Sequence, residues 1–164
     1  MLVLLHHEIM SNLKKMFQGF HIEDVDLTDK LVQLLVSEAD DTTYRTSQAW
    51  CWIHELEQDL IDEGQVLLTI CHLSPNNKHW IVLRVNGRLK KLAYGNSFRN
   101  DIPNKILAAY QSWFSRHSST FIVKQLPIPK QVNLVSCGIL AKVVLEDAIL
   151  DQISESQGFD AQAA

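Results

Sequence analysis

The sequence predicts one α+β domain, and three features of its 164 residues indicate that class. Before Gly64, apolar residues recur at the spacing of amphipathic helices, and after it they form short β-branched runs of strand length. A last apolar run has the length of a helix. Helices, then strands, then a strand and a helix are the order typical of an α+β fold. We therefore expect residues 1–164 to form one domain whose first part, 1–64, is helical.

The first part contains two predicted helices. Residues 27–36 place four leucines on one face, which is the pattern of a helix that packs against a core. Residues 46–61 predict a second helix rich in aromatic side chains. Trp50 and Trp52 lie in this helix, and their amphipathic spacing favours core packing.

The middle of the chain predicts a β-hairpin. Residues 66–73 and 80–85 are apolar runs of strand length, and Asn86-Gly87 follows the second run. An Asn-Gly pair is the usual centre of a two-residue type I′ turn, because both positions need positive φ. The hairpin would join 80–85 to a strand at 88–94, so that His79 faces Tyr94. Asn96 would then lie diagonal to His79 on the same face of the sheet.

The last third predicts a helix, a strand and a second helix. Asp101 is a candidate N-cap, with Pro103 in the first turn of a helix that carries an amphipathic stripe. Residues 121–126 form a predicted strand. Residues 137–150 form a predicted helix with apolar side chains on most of its surface, which indicates burial.

Composition and charge disfavour several classes of protein. With a net charge of -4, the chain lacks the basic character of a protein that binds nucleic acid or an anionic membrane. The apolar run before His6, His7 and Glu8 is too short for the core of a signal peptide or for a membrane span. Three widely spaced cysteines indicate reduced thiols rather than a disulfide framework. We expect a protein of the cytoplasm or nucleus.

Four residues form a candidate catalytic set. Cys137 opens the last predicted helix, where unpaired N–H groups and the helix dipole favour a thiolate. His79 is a candidate base, and the Asn96 side chain could orient its ring. Gln131 precedes the cysteine and could donate to an oxyanion. The alternatives are a buried structural cysteine, a solvated histidine at a strand end and a plain polar turn.

Together these residues resemble the catalytic core of the ubiquitin-like-protein-specific cysteine proteases of the SUMO-protease type, a clan that includes the adenoviral proteinase. His79-Trp80 matches the His-Trp pair at the start of a strand in that family. The pair Asn96-Ser97 stands where the family has Asp-Ser at the end of the next strand. Gln131 and Cys137-Gly138 match the Gln and the Cys-Gly pair that opens a helix.

The resemblance implies a papain-like or adenain-like core at 65–150, with a small mixed or antiparallel sheet flanked by helices and the nucleophile at the start of a buried helix. It implies a thiol protease or isopeptidase that cleaves after the C-terminal glycine of a SUMO-like modifier, with that modifier or its conjugates as partner and no cofactor or metal. Cys137 would be the nucleophile, His79 the base, Asn96 the orienting residue and Gln131 the oxyanion donor. The substrate-binding residues would be Trp80 and Gly138.

The sequence departs from that family in two respects that keep a second function open. Asn96 replaces an aspartate, so it supplies no charge to an imidazolium, and the chain is short for the family. A pseudoprotease that binds a ubiquitin-like protein is the alternative. A zinc site built from Cys51, His54, Cys71 and His72 is disfavoured, because adjacent residues of a strand point to opposite faces.

Overall fold

A computed structural model describes residues 8, 11, 12, 15, 21–23, 26–73, 79–98 and 100–126. The main described ranges hold four helices and five strands. In chain order they are β1 His21–Glu23, α1 Asp26–Ser37, α2 Asp41–Thr46, α3 Cys51–Ile61, β2 Val66–Leu73, β3 His79–Asn86, β4 Lys91–Asn96, α4 Asn104–Ser115 and β5 Ile122–Gln125. The predicted last helix, 137–150, lies outside the described residues.

The strands form one mixed sheet in the order β1-β2-β3-β4-β5. The three central strands are antiparallel to one another, whereas β1 pairs with β2, and β5 with β4, in parallel. The predicted α+β class with a small mixed sheet is therefore confirmed. The strand β1 was missed, because three residues are too few to show an alternating pattern.

The core lies between one face of the sheet and helices α1, α3 and α4. Their buried side chains form one cluster with alternate residues of the strands, which face the helices because successive strand residues point to opposite sides. The helix members are Leu27, Leu31, Leu34, Ile53, Leu56, Leu60, Ile106, Ala109, Tyr110, Trp113 and Phe114. The opposite sheet face is buried as well, at Leu68, Ile70 and Val82. Central strands buried on both faces explain the continuous apolar runs in the sequence.

The first predicted helix is confirmed, and the second is wrong at its beginning. Residues 27–36 lie within α1, with three of the four leucines buried. Residues 46–61 instead contain the last residue of α2, a turn at 47–50 and then α3. Asp40 caps α2 by accepting from the Thr43 N–H over 2.7 Å, and Ser47 is extended with ψ 130. Trp52 is exposed, whereas Trp50 packs against the core.

The predicted hairpin register is wrong. Asn86 pairs with Lys91 and Ile81 with Asn96, so the connecting loop spans 87–90 and the strand predicted at 88–94 is Lys91–Asn96. Positive φ occurs at Lys90, at 52°, and not at Gly87. Asn86 Oδ1 accepts from the Leu89 N–H over 2.9 Å, which closes the turn. The Asn-Gly pair therefore begins a longer turn than type I′.

Gly87 is required by a contact with helix α3. A Cβ atom at this position would lie 1.6 Å from the carbonyl oxygen of Leu60. The Gly87 N–H also donates to the Gln65 carbonyl over 2.8 Å. Close backbone packing, rather than a left-handed conformation, therefore selects glycine here.

The helix predicted after Asp101 is present, but its cap is wrong. Helix α4 begins at Asn104, and Pro103 holds the N-cap position without a side-chain hydrogen bond. Asp101 instead accepts from the Tyr94 hydroxyl over 3.3 Å. The strand predicted at 121–126 is confirmed as β5. In the described part of the chain, no helix combines the length and the apolar character that crossing a membrane requires.

Candidate active site

His79 and Asn96 meet at one end of the sheet. His79 is the first residue of β3 and Asn96 the last residue of β4, so antiparallel pairing brings them to the same edge. His79 Nε2 lies 2.7 Å from Asn96 Oδ1. Both residues are buried, with 4% and 2% of their surfaces exposed. The contact predicted between the two side chains is present.

The contact was predicted correctly from a wrong register, because the predicted and observed registers differ by an even number of residues. An even shift keeps every side chain on its predicted face, whereas an odd shift would move it to the other face. The predicted register set Tyr94 opposite His79, but Tyr94 pairs with Leu83. The observed pairing ends at Ile81 and Asn96, and Phe98 reaches His79 from the turn that follows β4.

A second hydrogen bond fixes the orientation of the Asn96 amide. Oδ1 of Asn96 also accepts from the backbone N–H of Phe98 over 3.0 Å. A backbone N–H only donates, so the atom between Phe98 and His79 is the oxygen and not the amide nitrogen. His79 must therefore donate through Nε2–H, and its neutral ring carries the lone pair on Nδ1.

The remaining ring nitrogen of His79 is the one that could act as a base. Nδ1 is buried and has no hydrogen-bond partner within the described ranges. A buried acceptor without a partner is unusual in a folded protein and needs an explanation. A thiol proton in front of Nδ1 would supply one, since a base oriented by a third side chain is the arrangement of cysteine and serine catalytic triads.

Phe98 is a third member of this site that the sequence analysis missed. Its ring stacks on the His79 imidazole, with the centroids 4.2 Å apart and the planes at 28°. The signal in the sequence was the turn that begins at Asn96, since Phe98 follows it by two residues and its N–H closes that turn on Asn96 Oδ1. The wrong register hid it, since Tyr94 occupied the position opposite the histidine.

Trp80 lies on the other face of the sheet, beside His72. The two residues pair across β2 and β3, and their ring centroids are 4.5 Å apart with the planes at 48°. Trp80 is buried, with 6% of its surface exposed. This fits core packing as well as the predicted contact with substrate, so the substrate-binding role of Trp80 stays a prediction.

The other predicted site residues lie outside the described part of the chain. These are Cys137, Gln131 and Gly138. Their roles as nucleophile, oxyanion donor and substrate-binding residue stay predictions.

Neither described cysteine has the environment of a nucleophile. Burial raises the pKa of Cys71 to about 12. Cys51 is exposed, and its hydrogen bond to the Glu55 carboxylate raises the pKa of its thiol. Within residues that the structure describes, no group of three histidine, cysteine or acidic side chains could hold a metal ion. The thiol of Cys137 is thus the candidate that remains.

No protein-family model and no curated protein matches the sequence. Solved structures match the fold. The SUMO protease Ulp1, solved with its catalytic cysteine oxidised to a sulfenic acid, aligns with a TM-score of 0.67 at 18% identity, over 91% of this chain and 66% of that chain. The C-terminal Ulp1 protease domain in complex with Smt3, the yeast ortholog of SUMO, gives 0.65 at 18% identity, over 91% and 65%.

A bacterial protein has the same fold. The Xanthomonas campestris effector protein XopD, solved bound to ubiquitin, aligns with a TM-score of 0.55 at 17% identity, over 89% of this chain and 74% of that chain. The chain therefore has the fold of the SUMO protease Ulp1, as its motifs predicted, while spanning less than two thirds of the length of the Ulp1 domain solved with Smt3.

Proposed function

We propose that this chain is a thiol protease that cleaves after the C-terminal glycine of a ubiquitin-like modifier, either in processing or in isopeptide deconjugation. The observation that carries the proposal is the buried 2.7 Å hydrogen bond between His79 and Asn96, which leaves Nδ1 free to act as a base. The fold supports it, since two proteins with this fold were solved with Smt3 and with ubiquitin. The partner is thus a ubiquitin-like protein, in the cytoplasm or nucleus.

The proposed reaction follows from the state of the histidine. Nδ1 of His79 takes the proton from Cys137 Sγ, and the thiolate attacks the carbonyl carbon of the terminal glycine. The Gln131 amide and the Cys137 N–H stabilise the oxyanion. The imidazolium then protonates the leaving amine, which gives a thioester, and a water deprotonated by the same nitrogen hydrolyses it. Asn96 holds the ring through Nε2–H during both steps.

The peptide leading to the scissile bond needs a narrow path across the site. In the proposed enzyme, Trp80 and Gly138 line this path, and glycine residues at the end of the modifier are small enough to pass. Trp80 directly follows the base His79 in the chain. Its indole lies beside His72 on the sheet face opposite to His79, so contact with the glycine segment would be made around the end of β3, where both residues lie.

A second function is favoured by one observation, the neutral side chain at position 96. Asn96 accepts from His79 but gives no negative charge to balance an imidazolium, so the thiolate–imidazolium pair is weaker than with a carboxylate. The corresponding function is a pseudoprotease that binds a ubiquitin-like protein without cleaving it.

Covalent capture distinguishes the two functions. The protein is incubated with ubiquitin-like proteins that carry a thiol-reactive group at the C-terminus, and adducts are identified by intact mass. Because Cys51 is exposed, the experiment uses a Cys51→Ser background, whereas Cys71 is buried and unreactive in the folded protein. A protease gives an adduct with at least one modifier that Cys137→Ala abolishes. A folded protein without any adduct, or an adduct that persists in Cys137→Ala, contradicts the proposal.

Replacing the neutral amide by a carboxylate is expected to raise activity. In Asn96→Asp the carboxylate can accept from both His79 Nε2–H and Phe98 N–H, and it adds the charge that the imidazolium lacks. A charge-assisted bond is about twice as strong as a neutral one, which corresponds to an increase of about five- to tenfold in kcat/KM on a modifier substrate. Asn100→Asp, which adds the same charge at an exposed position, is the control. Lower activity in Asn96→Asp would show that the site depends on the amide.

A further inference from the structure

We propose that Phe98 is a positioning residue for His79: it fixes the tautomer and plane of the imidazole and stabilises its protonated form, replacing part of what a carboxylate at position 96 would provide. The effect on the thiol rests on the proposed function. The effect on His79 itself does not, because it follows from contacts among described residues.

Phe98 contacts both members of the His79–Asn96 pair, through two different groups. Its backbone N–H donates to Asn96 Oδ1 over 3.0 Å, and its side chain stacks on the imidazole at 4.2 Å. The first contact turns the amide oxygen towards the histidine, and the second restricts the ring that donates to this oxygen. One residue of the loop after β4 therefore sets the geometry of both partners.

The stacked ring opposes rotation of the histidine. Rotation about the Cβ–Cγ bond would carry Nε2 away from Asn96 and Nδ1 away from the position it now holds. With the phenyl ring against one face of the imidazole and 4% of His79 exposed, such a rotation requires Phe98 to move first. Without the ring, the imidazole has room to turn away from Asn96 Oδ1, and a ring that leaves this acceptor is no longer confined to the Nε2–H tautomer.

The aromatic face also acts electrostatically. It carries negative partial charge, and a cation within about 6 Å of its centroid is attracted. The imidazole lies well inside this distance and nearly parallel to the ring. Of the described side chains, Asn96 forms a hydrogen bond with the His79 ring and Phe98 stacks on it, and neither is charged. The aromatic face is therefore the described group best placed to favour an imidazolium.

The first test reads His79 directly by the 15N chemical shifts of its ring nitrogens. Spectra are recorded at alkaline pH, and the signals are assigned by their loss in His79→Gln. The wild-type protein and Phe98→Tyr should show protonated Nε2 and unprotonated Nδ1, whereas Phe98→Ala should show averaged shifts from mixed tautomers. The control is Phe121→Leu, since Phe121 is a stacked aromatic whose partner is Phe114. Wild-type shifts in Phe98→Ala would overturn the inference.

The second test separates packing from charge with a double-mutant cycle. The rate of Cys137 alkylation at pH 6 is measured in the Cys51→Ser background, where it reports the fraction of thiolate paired with imidazolium. Phe98→Ala should lower this rate about tenfold with Asn96 in place, and by less than about threefold together with Asn96→Asp, because the carboxylate then supplies the charge. Phe98→Leu keeps the bulk of the side chain without its aromatic face. It should therefore retain the wild-type tautomer but show the lower rate of Cys137 alkylation.

The outcomes of these tests separate this inference from the proposed function. Equal losses from Phe98→Ala with and without Asn96→Asp would overturn the electrostatic role of the ring. If no modifier probe reacts while Phe98→Ala still mixes the His79 tautomers, the protease proposal fails and the positioning role stands. If probes react and Phe98→Ala keeps the wild-type tautomer of His79, the protease proposal stands and the positioning role fails.

Discussion

Glu57 is expected to make the folded protein less stable as the pH rises from 5 to 8. Its carboxyl group is buried in α3, where the Tyr44 hydroxyl donates to Oε2 over 2.7 Å and Oε1 has no hydrogen-bond partner among described residues. Burial raises the pKa of Glu57 from 4.5 to about 7, although the Tyr44 bond and the charges of His117, Arg116 and Arg45 lower it. The folded state therefore binds this proton more tightly than the unfolded chain.

The magnitude follows from proton linkage. A carboxyl whose pKa is raised on folding contributes stability that is fully present below pH 4.5 and is lost as the pH rises through about 7. At about 1.36 kcal/mol for each tenfold change in proton affinity, Glu57 contributes at most about 3 kcal/mol to the free energy of unfolding. Between pH 5 and pH 8, the free energy of unfolding should fall by about 2.5 kcal/mol from this group alone.

Glu57→Gln tests this directly, because a glutamine does not titrate and its amide oxygen can still accept from Tyr44. The free energy of unfolding is measured by urea titration, with tryptophan fluorescence, for both proteins from pH 5 to pH 8. Over that range, the free energy of unfolding of Glu57→Gln should rise by about 2.5 kcal/mol relative to that of the wild-type protein. Glu55→Gln, at an exposed position of the same helix, is the control and should show no such gain. A difference between Glu57→Gln and wild type that stays constant with pH would refute the reasoning.

Two further substitutions test backbone packing and the buried hydroxyl pair. Gly87→Ala should destabilise the protein by about 1–3 kcal/mol in urea unfolding, because its Cβ would collide with a carbonyl oxygen of α3, whereas Arg88→Ala in the same loop should change little. Equal stability of the two variants would contradict that contact. Thr28→Val removes the buried 3.0 Å hydrogen bond to the Tyr110 hydroxyl and should lower the thermal midpoint by an amount equivalent to about 1–3 kcal/mol, with Thr42→Val at an exposed position as control. An unchanged midpoint in Thr28→Val would show that the hydroxyl of Tyr110 finds another partner.

Amphipathic helices were predictable because their signal is local. The leucine face of α1 and the apolar stripe of α4 repeat at helical spacing, and both helices bury those residues. The break at 47–50 was missed because the apolar pattern continues across it. Ser47 ends α2, and its hydroxyl accepts from the Ala49 N–H over 3.3 Å, a competing bond that does not disturb the hydrophobic pattern.

The hairpin loop was mispredicted because the decisive contact is not local. Asn86-Gly87 has the sequence of a two-residue turn, but Gly87 is held against the Leu60 carbonyl of a helix that precedes the whole hairpin. A Cβ at that position fails for lack of space, so glycine was selected by packing. From the neighbouring residues alone, the same glycine is explained by a backbone conformation with positive φ.

The candidate site separates what strand alternation determines from what the loop determines. Because the predicted register differs from the observed one by an even number of residues, alternation still sets His79 and Asn96 on one face, so their contact followed from the sequence. The observed register, set by the loop at 87–90, pairs Tyr94 with Leu83 and ends at Ile81 and Asn96, so Phe98 reaches His79 from the turn after β4. The length of that loop, at the far end of the two strands, therefore decides which aromatic ring covers the imidazole. The bond from the Phe98 N–H to Asn96 Oδ1 joins residues two apart, so the turn after Asn96 orients the amide locally and independently of the register.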